Sequence, residues 1–387
     1  MKPADALNID DLARVARRRL PKGLYDFVAR GAEDEITLRE NRASLDRVLL
    51  RQRVGVDVSR RDISTTVFGQ KLAMPLGIAV TGLAGLLHHD GERKLARAAA
   101  AAGVPFTIGS SNFTAQAALL PIAGPLLWRQ VYPLAEDRLF EHQVGLSRDL
   151  GITVLQVTMD SPVIGNREYI RRSGWSPGII HAGTVRDMLG APYWLFGTLL
   201  RYVFAGGLPE IGDMPAGERR FWGGTHAFAT ASPRFDWDAL SALRRRWDGV
   251  LVAKGVSTAE DARRAAACGV DGIIVSNHGG RSLDGAVGSF AALPEVVDAV
   301  APKVTVIVDG GFRRGSEVLK AIAMGAGMVM VGRATLLALA AFGEPGVARA
   351  LAILREEIDR SLALAGARTL AELGRDRLQW QDGRALA

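Results

Sequence analysis

The sequence predicts an α/β protein built as a (β/α)8 TIM barrel. Three features lead to this prediction: eight short apolar runs, alanine-rich helical segments between most of them, and a length of 387 residues, which suits one barrel with insertions. Strands joined by short helices form right-handed parallel crossovers, and eight such units close into a barrel. The predicted strands are 75–80, 104–108, 126–130, 153–158, 250–253, 272–276, 304–309 and 328–331.

Two segments depart from this alternation within what we expect to be a single domain, 1–387. Residues 1–74 precede the first strand and show helical patterns, so they are predicted to form an N-terminal helical cap. The barrel is then expected to span 75–360, with a C-terminal tail at 361–387. Residues 161–248, after the fourth strand, are too many for an ordinary connection and are predicted to lie over the active face.

Part of this insertion is strongly apolar. Residues 192–204 are rich in aromatic and aliphatic side chains, but the segment is too short to cross a bilayer. It can pack on the barrel or on another subunit, or it can lie in a membrane interface, and the sequence leaves both open. The stretch 190–208 is therefore the candidate for peripheral contact with the inner face of the cell membrane.

Composition narrows the class of protein. Hydrophobic residues make up 48% and charged residues 23% of the chain, as in an ordinary globular enzyme. The net charge of +7 comes from arginines spread over the whole length without a recognition motif, so no nucleic-acid partner is expected. Cys268 is the single cysteine, which excludes an intrachain disulfide and a thiolate metal cluster. With no signal-peptide pattern at the start, a cytoplasmic location is predicted.

The most informative motif follows the sixth predicted strand and reads Ser-Asn-His-Gly-Gly-Arg. It places His278 and Arg281 three residues apart, with two glycines that allow close packing. A lone histidine beside a strand is often structural. An imidazole can nevertheless accept a proton near neutral pH, and a guanidinium can bind a carboxylate through two parallel hydrogen bonds. The loop therefore predicts a base and a binding group for a small acid.

Strands seven and eight end in glycines beside arginines. Backbone amides and guanidinium groups at these strand ends predict a phosphate site where barrels commonly have one. The residues concerned are Asp309, Gly310, Gly311, Arg313, Gly332 and Arg333. The sequence lacks both the Gly-x-Gly-x-x-Gly fingerprint and the phosphate-loop lysine motif, so a mononucleotide cofactor is favoured over NAD or a nucleoside triphosphate. A flavin-free barrel that binds a sugar phosphate would use the same residues and is the distant alternative.

Other strand ends carry further polar side chains. Asp160 follows strand four and can hold the imidazole in one tautomer, and Arg167 can add a second carboxylate contact. Lys254 closes strand five, where it can form a salt bridge or stabilise negative charge on a cofactor ring. The Gln130 amide can bond a ring edge, and the Tyr132 phenol can bond a substrate oxygen.

These motifs resemble those of the FMN-dependent 2-hydroxy acid dehydrogenases and oxidases, a family that includes mandelate dehydrogenase, flavin-type lactate dehydrogenase and glycolate oxidase. The signature SNHGGR-x-LD lies at 276–284, and further matches lie at 31–41, 309–313 and 332–334. The resemblance covers nearly the whole chain. It implies oxidation of an (S)-2-hydroxy acid to the 2-oxo acid with FMN as cofactor, in a homotetramer.

The resemblance also implies roles for individual residues. His278 would be the base, supported by Asp160, with Tyr132 near the substrate hydroxyl. The substrate carboxylate would be bound by Tyr25, Arg167 and Arg281. FMN would be held by Ala79, Val80, Thr81, Gly82, Ser110, Gln130, Thr158, Lys254, Ser276, Asp309, Gly310, Gly311, Arg313, Gly332 and Arg333.

The chain also departs from the family pattern. Relatives have Pro-Thr-Ala or Pro-Thr-Gly where this chain has Val80-Thr81-Gly82, and their serine after strand two falls here at Gly109 or Ser110. Gly82 is typical of dehydrogenases that pass electrons to a quinone or another carrier, and the insertion resembles that of mandelate dehydrogenase. A mandelate-like substrate is therefore expected, with an L-lactate dehydrogenase or an oxygen-using oxidase as the alternatives. The sequence does not decide between a hydride and a carbanion route.

Overall fold

The computed structural model describes residues 1–173, 182–221 and 231–382. After a 3-10 turn at Pro3–Asp5, the chain forms helices α1 (Ile9–Arg19), α2 (Lys22–Ala29) and α3 (Ile36–Asp46). The side chain of Asn8 caps α1 by accepting a hydrogen bond from the Asp11 amide at 2.8 Å, and three arginines in the last turn complement the helix dipole. The predicted N-terminal helices are therefore present.

Three short strands follow these helices, so the expectation of an entirely helical cap is wrong for residues 47–74. They are β1 (Val48–Leu50), β2 (Thr65–Val67) and β3 (Gln70–Leu72), and β2 and β3 form an antiparallel hairpin. Its two turn residues, Phe68 and Gly69, have φ angles of 52° and 74°, as a type I′ turn requires. A two-residue turn with a phenylalanine at one position was not recognised in the sequence.

Eight parallel strands close into a barrel in chain order, as predicted. They are β4 (Leu76–Ile78), β5 (Phe106–Ile108), β6 (Leu127–Val131), β7 (Val154–Thr158), β8 (Val250–Val256), β9 (Gly272–Val275), β10 (Thr305–Asp309) and β11 (Met328–Val331). Most of their residues are buried on both faces, which explains why the strands appear in the sequence as continuous apolar runs. The observed bounds differ from the predicted ones by up to two residues where a strand begins and up to three where it ends.

Helices surround the barrel. Between the barrel strands and after β11 lie α4 (Ala84–Leu87), α5 (Gly91–Ala102), α6 (Gln116–Ala123), α7 (Asp137–Asp149), α8 (Glu168–Ser173), α9 (Ala182–Leu189), α10 (Pro192–Trp194), α11 (Leu200–Ala205), α12 (Trp237–Arg244), α13 (Ala259–Ala267), α14 (Ser289–Val300), α15 (Gly315–Ala323), α16 (Arg333–Phe342) and α17 (Glu344–Leu364). A π-helical turn, Leu195–Leu199, joins α10 to α11, and 3-10 turns lie at Gly124–Leu126, Leu370–Glu372 and Arg375–Arg377.

The hairpin β2–β3 covers the end of the barrel at which the strands begin. Phe68 at its tip contacts Trp128, with ring centroids 5.7 Å apart, and it packs against Gly272 of β9. Buried apolar side chains of the barrel interior, including Ile274 and Met328, complete this cluster. Because this end is filled by side chains, the opposite end, where the strands finish, is the one available for a site.

The expected C-terminal tail, 361–387, begins inside a helix, because α17 continues to Leu364. Beyond α17, strand β12 (Leu378–Trp380) pairs antiparallel with β1, so the end of the tail is joined to the N-terminal region. Residues 383–387 lie outside the described residues.

The insertion after β7 packs on the barrel through part of its apolar segment. Trp194 is buried, and its Nε1 donates to the Leu86 carbonyl at 2.5 Å. Several aromatic side chains of the same segment remain exposed, with exposed fractions of 57% for Tyr193, 66% for Phe196 and 84% for Phe204. Residues 174–181 and 222–230 of the insertion lie outside the described residues. Within the described ranges, no helix has both the length and the apolar character needed to cross a membrane.

Candidate active site

A cavity of about 300 Å³ opens at the carboxyl ends of the barrel strands. It is lined by 17 of the site residues predicted from the sequence, drawn from seven of the barrel strands and their ends and from the insertion after β7. They are Ala79, Val80, Thr81, Gly82, Ser110, Gln130, Tyr132, Arg167, Lys254, His278, Arg281, Asp309, Gly310, Gly311, Arg313, Gly332 and Arg333. Barrel closure thus brings together side chains that are widely separated in the sequence.

Four predicted residues do not line this cavity. Thr158 and Ser276 lie behind it, where the Thr158 hydroxyl accepts from Gln130 Nε2 and the Ser276 hydroxyl accepts from Lys254 Nζ, at 2.8 and 2.7 Å. Asp160 also lies behind it, against the imidazole. Tyr25 is half-buried on α2 and packs against the core, so the structure gives its predicted contact with a carboxylate no direct support.

His278 stands between a carboxylate and a phenol. Its Nδ1 lies 3.1 Å from Asp160 Oδ1, and its Nε2 lies 3.1 Å from the Tyr132 hydroxyl. Because an ionised carboxylate can only accept hydrogen bonds, Nδ1 carries the proton, and the lone pair of Nε2 accepts from the Tyr132 hydroxyl at the cavity. His278 has a φ of 59°, in the left-handed region, which turns the chain sharply at the end of β9.

Charge at the back of the site is balanced. Burial raises the pKa of Asp160, but attraction to His278 and Lys254 outweighs burial, so the pKa is lowered and the carboxylate is ionised. Burial lowers the pKa of Lys254, but the attraction of Asp309 and Asp160 outweighs burial, so the pKa is raised overall. Asp309 Oδ2 lies 3.2 Å from Lys254 Nζ. Lys254 is therefore a buried cation at the cavity wall.

The arginines at the cavity lie close to one another, and their pKa values are lowered. Burial and the neighbouring Arg281 lower the pKa of Arg167 to about 10, and burial with Arg281, Arg313 and Arg167 lowers that of Arg333 to about 9. Both shifts record the free-energy cost of crowding buried cations together. Such a cluster is stabilised by an anionic ligand, as a carboxylate or a phosphate would provide.

Helix α2 orients two of these arginines. The guanidinium of Arg281 donates to the carbonyls of Phe27 and Arg30, and that of Arg333 donates to the carbonyls of Val28 and Arg30. Carbonyl groups at the end of a helix lack intrahelical partners and attract cations. The N-terminal helices therefore help to hold these two guanidinium groups in place.

The residues present fit FMN. Gln130 Oε1 and Thr81 Oγ1 are buried at the cavity without a hydrogen-bond partner among the described residues, as expected of groups that bond a polar ring edge. Gly311 has a φ of 90°, and a Cβ there would lie 2.7 Å from the Asn41 carbonyl, so only glycine fits this turn beside Arg313. Arg313 itself is partly exposed and pairs with Asp10 at 2.9 Å.

Sequence reasoning missed several residues that support the site. Ser161 contacts both members of the imidazole–carboxylate pair, and its hydroxyl lies 2.8 Å from that of Ser282. Asp284 accepts hydrogen bonds from the amides of Asp34, Ile36 and Thr37 at the start of α3, which fixes the loop that carries His278. The signal for Asp284 was its place in the SNHGGR-x-LD motif, and that for Ser161 was its position next to Asp160.

Comparison with known proteins agrees with this geometry. A family model described as FMN-dependent dehydrogenase matches residues 16–380. The L-lactate dehydrogenase of Chromohalobacter salexigens is 38% identical over 375 residues, which cover 95% of this chain and 94% of that protein. The L-lactate dehydrogenase of Pseudomonas aeruginosa, strain PAO1, is 36% identical over 370 residues, which cover 95% and 97%.

Solved structures resemble the chain over almost its full length. A crystal structure of the monotopic membrane protein (S)-mandelate dehydrogenase superposes with a TM-score of 0.89 at 35% identity, and the match covers 97% of this chain and 100% of that one. A mandelate oxidase with (S)-4-hydroxymandelic acid gives a TM-score of 0.84 at 33% identity, and the match covers 98% and 100%.

Proposed function

This chain belongs to the FMN-dependent dehydrogenase family and is an oxidoreductase that acts on 2-hydroxy acids; we propose that it oxidises a mandelate-like (S)-2-hydroxy acid to the 2-oxo acid and passes the electrons to a quinone or another carrier. One observation carries this proposal. His278, paired with Asp160, shares a single cavity with Arg167 and Arg281 and with the residues that fit FMN. A base, a carboxylate site and a flavin site thus meet at one point.

Each side chain of the site has a separate role in this reaction. Arg281 and Arg167 bind the substrate carboxylate and so orient the hydroxyl-bearing carbon. His278 accepts at Nε2 the proton that the substrate loses on oxidation, and Asp160 stabilises the imidazolium that forms. Because burial and Asp160 raise the pKa of Tyr132, its phenol stays protonated and can donate to the substrate oxygen. FMN, when bound, accepts the two electrons.

Apolar side chains support a bulky substrate. Leu83, Val163 and Ile164 line the cavity alongside the polar groups, and they can contact a ring on the hydroxyl-bearing carbon. The structural likeness to mandelate dehydrogenase and mandelate oxidase supports the same choice. The curated relatives are L-lactate dehydrogenases, and they make L-lactate the second candidate substrate.

The test is anaerobic mixing of the FMN-loaded protein with (S)-mandelate, L-lactate and glycolate while the flavin absorption band is followed. We expect (S)-mandelate to bleach the flavin fastest and a quinone analogue to restore the band faster than oxygen does. His278→Ala should bind FMN but show no bleaching. A protein that acquires no flavin bands on reconstitution would refute the function, and rapid bleaching of His278→Ala would remove His278 as the base.

We also propose peripheral contact with the inner face of the cell membrane through 190–208. The exposed Tyr193, Phe196 and Phe204 on this segment support the proposal, and so does the likeness to a mandelate dehydrogenase described as a monotopic membrane protein. A Phe196→Ser/Phe204→Ser variant should lose sedimentation with lipid vesicles while keeping its flavin spectrum. Equal sedimentation of both proteins would contradict the proposal.

The homotetramer implied by the family resemblance is tested by sedimentation velocity.

A further inference from the structure

A pair of serines adjoins the imidazole–carboxylate pair through Ser161, which also lines the cavity. Ser161 follows Asp160 at the end of β7, and Ser282 follows Arg281 on the loop after β9. Ser161 Oγ lies 3.0 Å from Asp160 Oδ1, 3.3 Å from His278 Nδ1 and 2.8 Å from Ser282 Oγ. We propose that Ser161, held by Ser282, is a positioning residue that sets the basicity of His278 by sharing the carboxylate oxygen that the imidazole uses.

Hydrogen-bond donors and acceptors determine the direction of this chain of contacts. Asp160 Oδ1 can only accept, so it takes one bond from His278 Nδ1–H and one from the Ser161 hydroxyl. The single proton of Ser161 is then used, and Ser282 must donate to Ser161 Oγ. The hydrogen bonds therefore run from Ser282 to Ser161 and from Ser161 to Asp160, and they end on the carboxylate oxygen that faces His278.

Sharing one oxygen weakens each of its hydrogen bonds. Oδ2 of Asp160 is buried and has no partner among the described residues, so Oδ1 carries the hydrogen bonds to both donors. If Ser161 withdraws negative charge from Oδ1, it reduces the stabilisation that Asp160 gives to a protonated imidazole. Removal of the Ser161 hydroxyl should therefore make His278 a stronger base.

The other charged and titratable groups around the pair remain in place in such a variant. They come from separate elements: Lys254 from β8, Tyr132 from the end of β6, Arg167 from the insertion and Arg281 from the loop after β9. None of these four side chains has a hydrogen bond with the Ser161 hydroxyl. A change in pH dependence on removal of that hydroxyl is thus attributable to the shared oxygen.

The experiment compares Ser161→Ala, Ser161→Thr and Ser282→Ala with the wild type, all loaded with FMN. The first measurement is the titration of the His278 ring by NMR in protein labelled at histidine, with His278→Asn used for assignment. The second is the pH profile of kcat/KM with (S)-mandelate, and this part rests on the proposed function. We expect the midpoint to rise by on the order of 0.5 pH unit in Ser161→Ala and by less in Ser282→Ala. Ser161→Thr, which keeps the hydroxyl, should match the wild type.

A double variant separates positioning from general damage. If Ser161 acts through Asp160, adding Ser161→Ala to Asp160→Asn should leave the midpoint of the Asp160→Asn protein unchanged. An unmoved midpoint in Ser161→Ala, or an equal shift in both backgrounds, would overturn the inference. Failure of every hydroxy acid to reduce the wild-type flavin would instead refute the proposed function, and the ring titration would still decide the role of Ser161.

Discussion

Replacing Asp213 by asparagine tests how the insertion is attached to the barrel. Asp213 lies in the insertion, and its Oδ2 accepts from Nη1 of Arg129 on β6 at 2.7 Å. The same Nη1 donates to the Gly109 carbonyl at the cavity, and Asp213 Oδ1 accepts from the Gln116 amide at 3.0 Å. Asparagine keeps an oxygen for that amide but removes the charge that faces the guanidinium.

The expected cost follows from burial. The side chains of Arg129 and Asp213 are 0% and 2% exposed, and burial lowers the pKa of Arg129 while Asp213 opposes that shift. Removing one partner of such a pair costs about 3–5 kcal/mol because the other charge stays buried without compensation. For 387 residues the entropy of unfolding is roughly 0.8 kcal/mol/K, so a loss of about 4 kcal/mol lowers Tm by about 5 °C.

Thermal unfolding followed by circular dichroism, at one fixed FMN concentration, measures this loss. Glu260→Gln is the matched control, because the Arg264–Glu260 pair has a similar distance of 2.8 Å but side chains that are 55% and 72% exposed. An exposed pair contributes less than about 1 kcal/mol, so the control should lower Tm by about 1 °C or less. If Asp213→Asn lowers Tm no more than the control, the buried pair does not attach the insertion.

Three further outcomes are expected. Gly255→Ala places a Cβ 2.5 Å from the Cβ of Asp160 at a φ of 100°, so flavin bleaching by hydroxy acid should slow at least about tenfold. The control Gly55→Ala, with a φ of 74° and open space around it, should bleach at the wild-type rate. Equal rates in the two variants would contradict crowding of Asp160 as the cause. Burial raises the pKa of Asp160, but His278 and Lys254 outweigh burial and lower the pKa below its ordinary 3.8. The ionised carboxylate therefore stabilises the folded wild type above pH 3.8, and this stabilisation is lost as the pH falls through the lower pKa of the folded state. Asp160→Asn should lack this acid loss when Tm is measured against pH, and parallel curves would be inconsistent with it. Apoprotein should bind FMN at least about 30-fold more tightly than riboflavin in fluorescence titrations, because charge-assisted hydrogen bonds to the phosphate stabilise the complex; equal affinities would rule out the phosphate site.

The barrel was predictable because its strands have a strong signal. Each is buried on both faces and therefore appears as an unbroken apolar run between helical segments. The hairpin β2–β3 has only three residues in each strand, and one of its turn positions is Phe68, a residue type that rarely indicates a turn. Its role in closing the barrel depends on contacts with Trp128 and Gly272, which lie far away in the chain.

Site residues were predictable where a local motif carries them. The glycines beside Arg313 and Arg333, and the motif that contains His278 and Arg281, can be recognised from neighbouring residues alone. Arg129 gives no such signal, because it lies between a tryptophan and a predicted flavin-binding glutamine, and its partner Asp213 is 84 positions away. A buried ion pair between distant residues is visible only when both positions are known.

Local patterns of apolar, glycine and charged residues are enough to establish the barrel, the order of its strands, the motifs at their ends and the family to which the chain belongs. Which of these groups contact each other depends on the three-dimensional fold. Asp160 and His278 are 118 positions apart, and they contact each other because β7 and β9 flank β8 and end at the same rim of the barrel. Other contacts also depend on the folded chain, because hydrogen bonds and ion pairs act over a few ångströms in space and not along the sequence. They are the contact between the hydroxyls of Ser161 and Ser282, the hydrogen bonds from the arginines to the carbonyls of α2, and the Arg129–Asp213 pair.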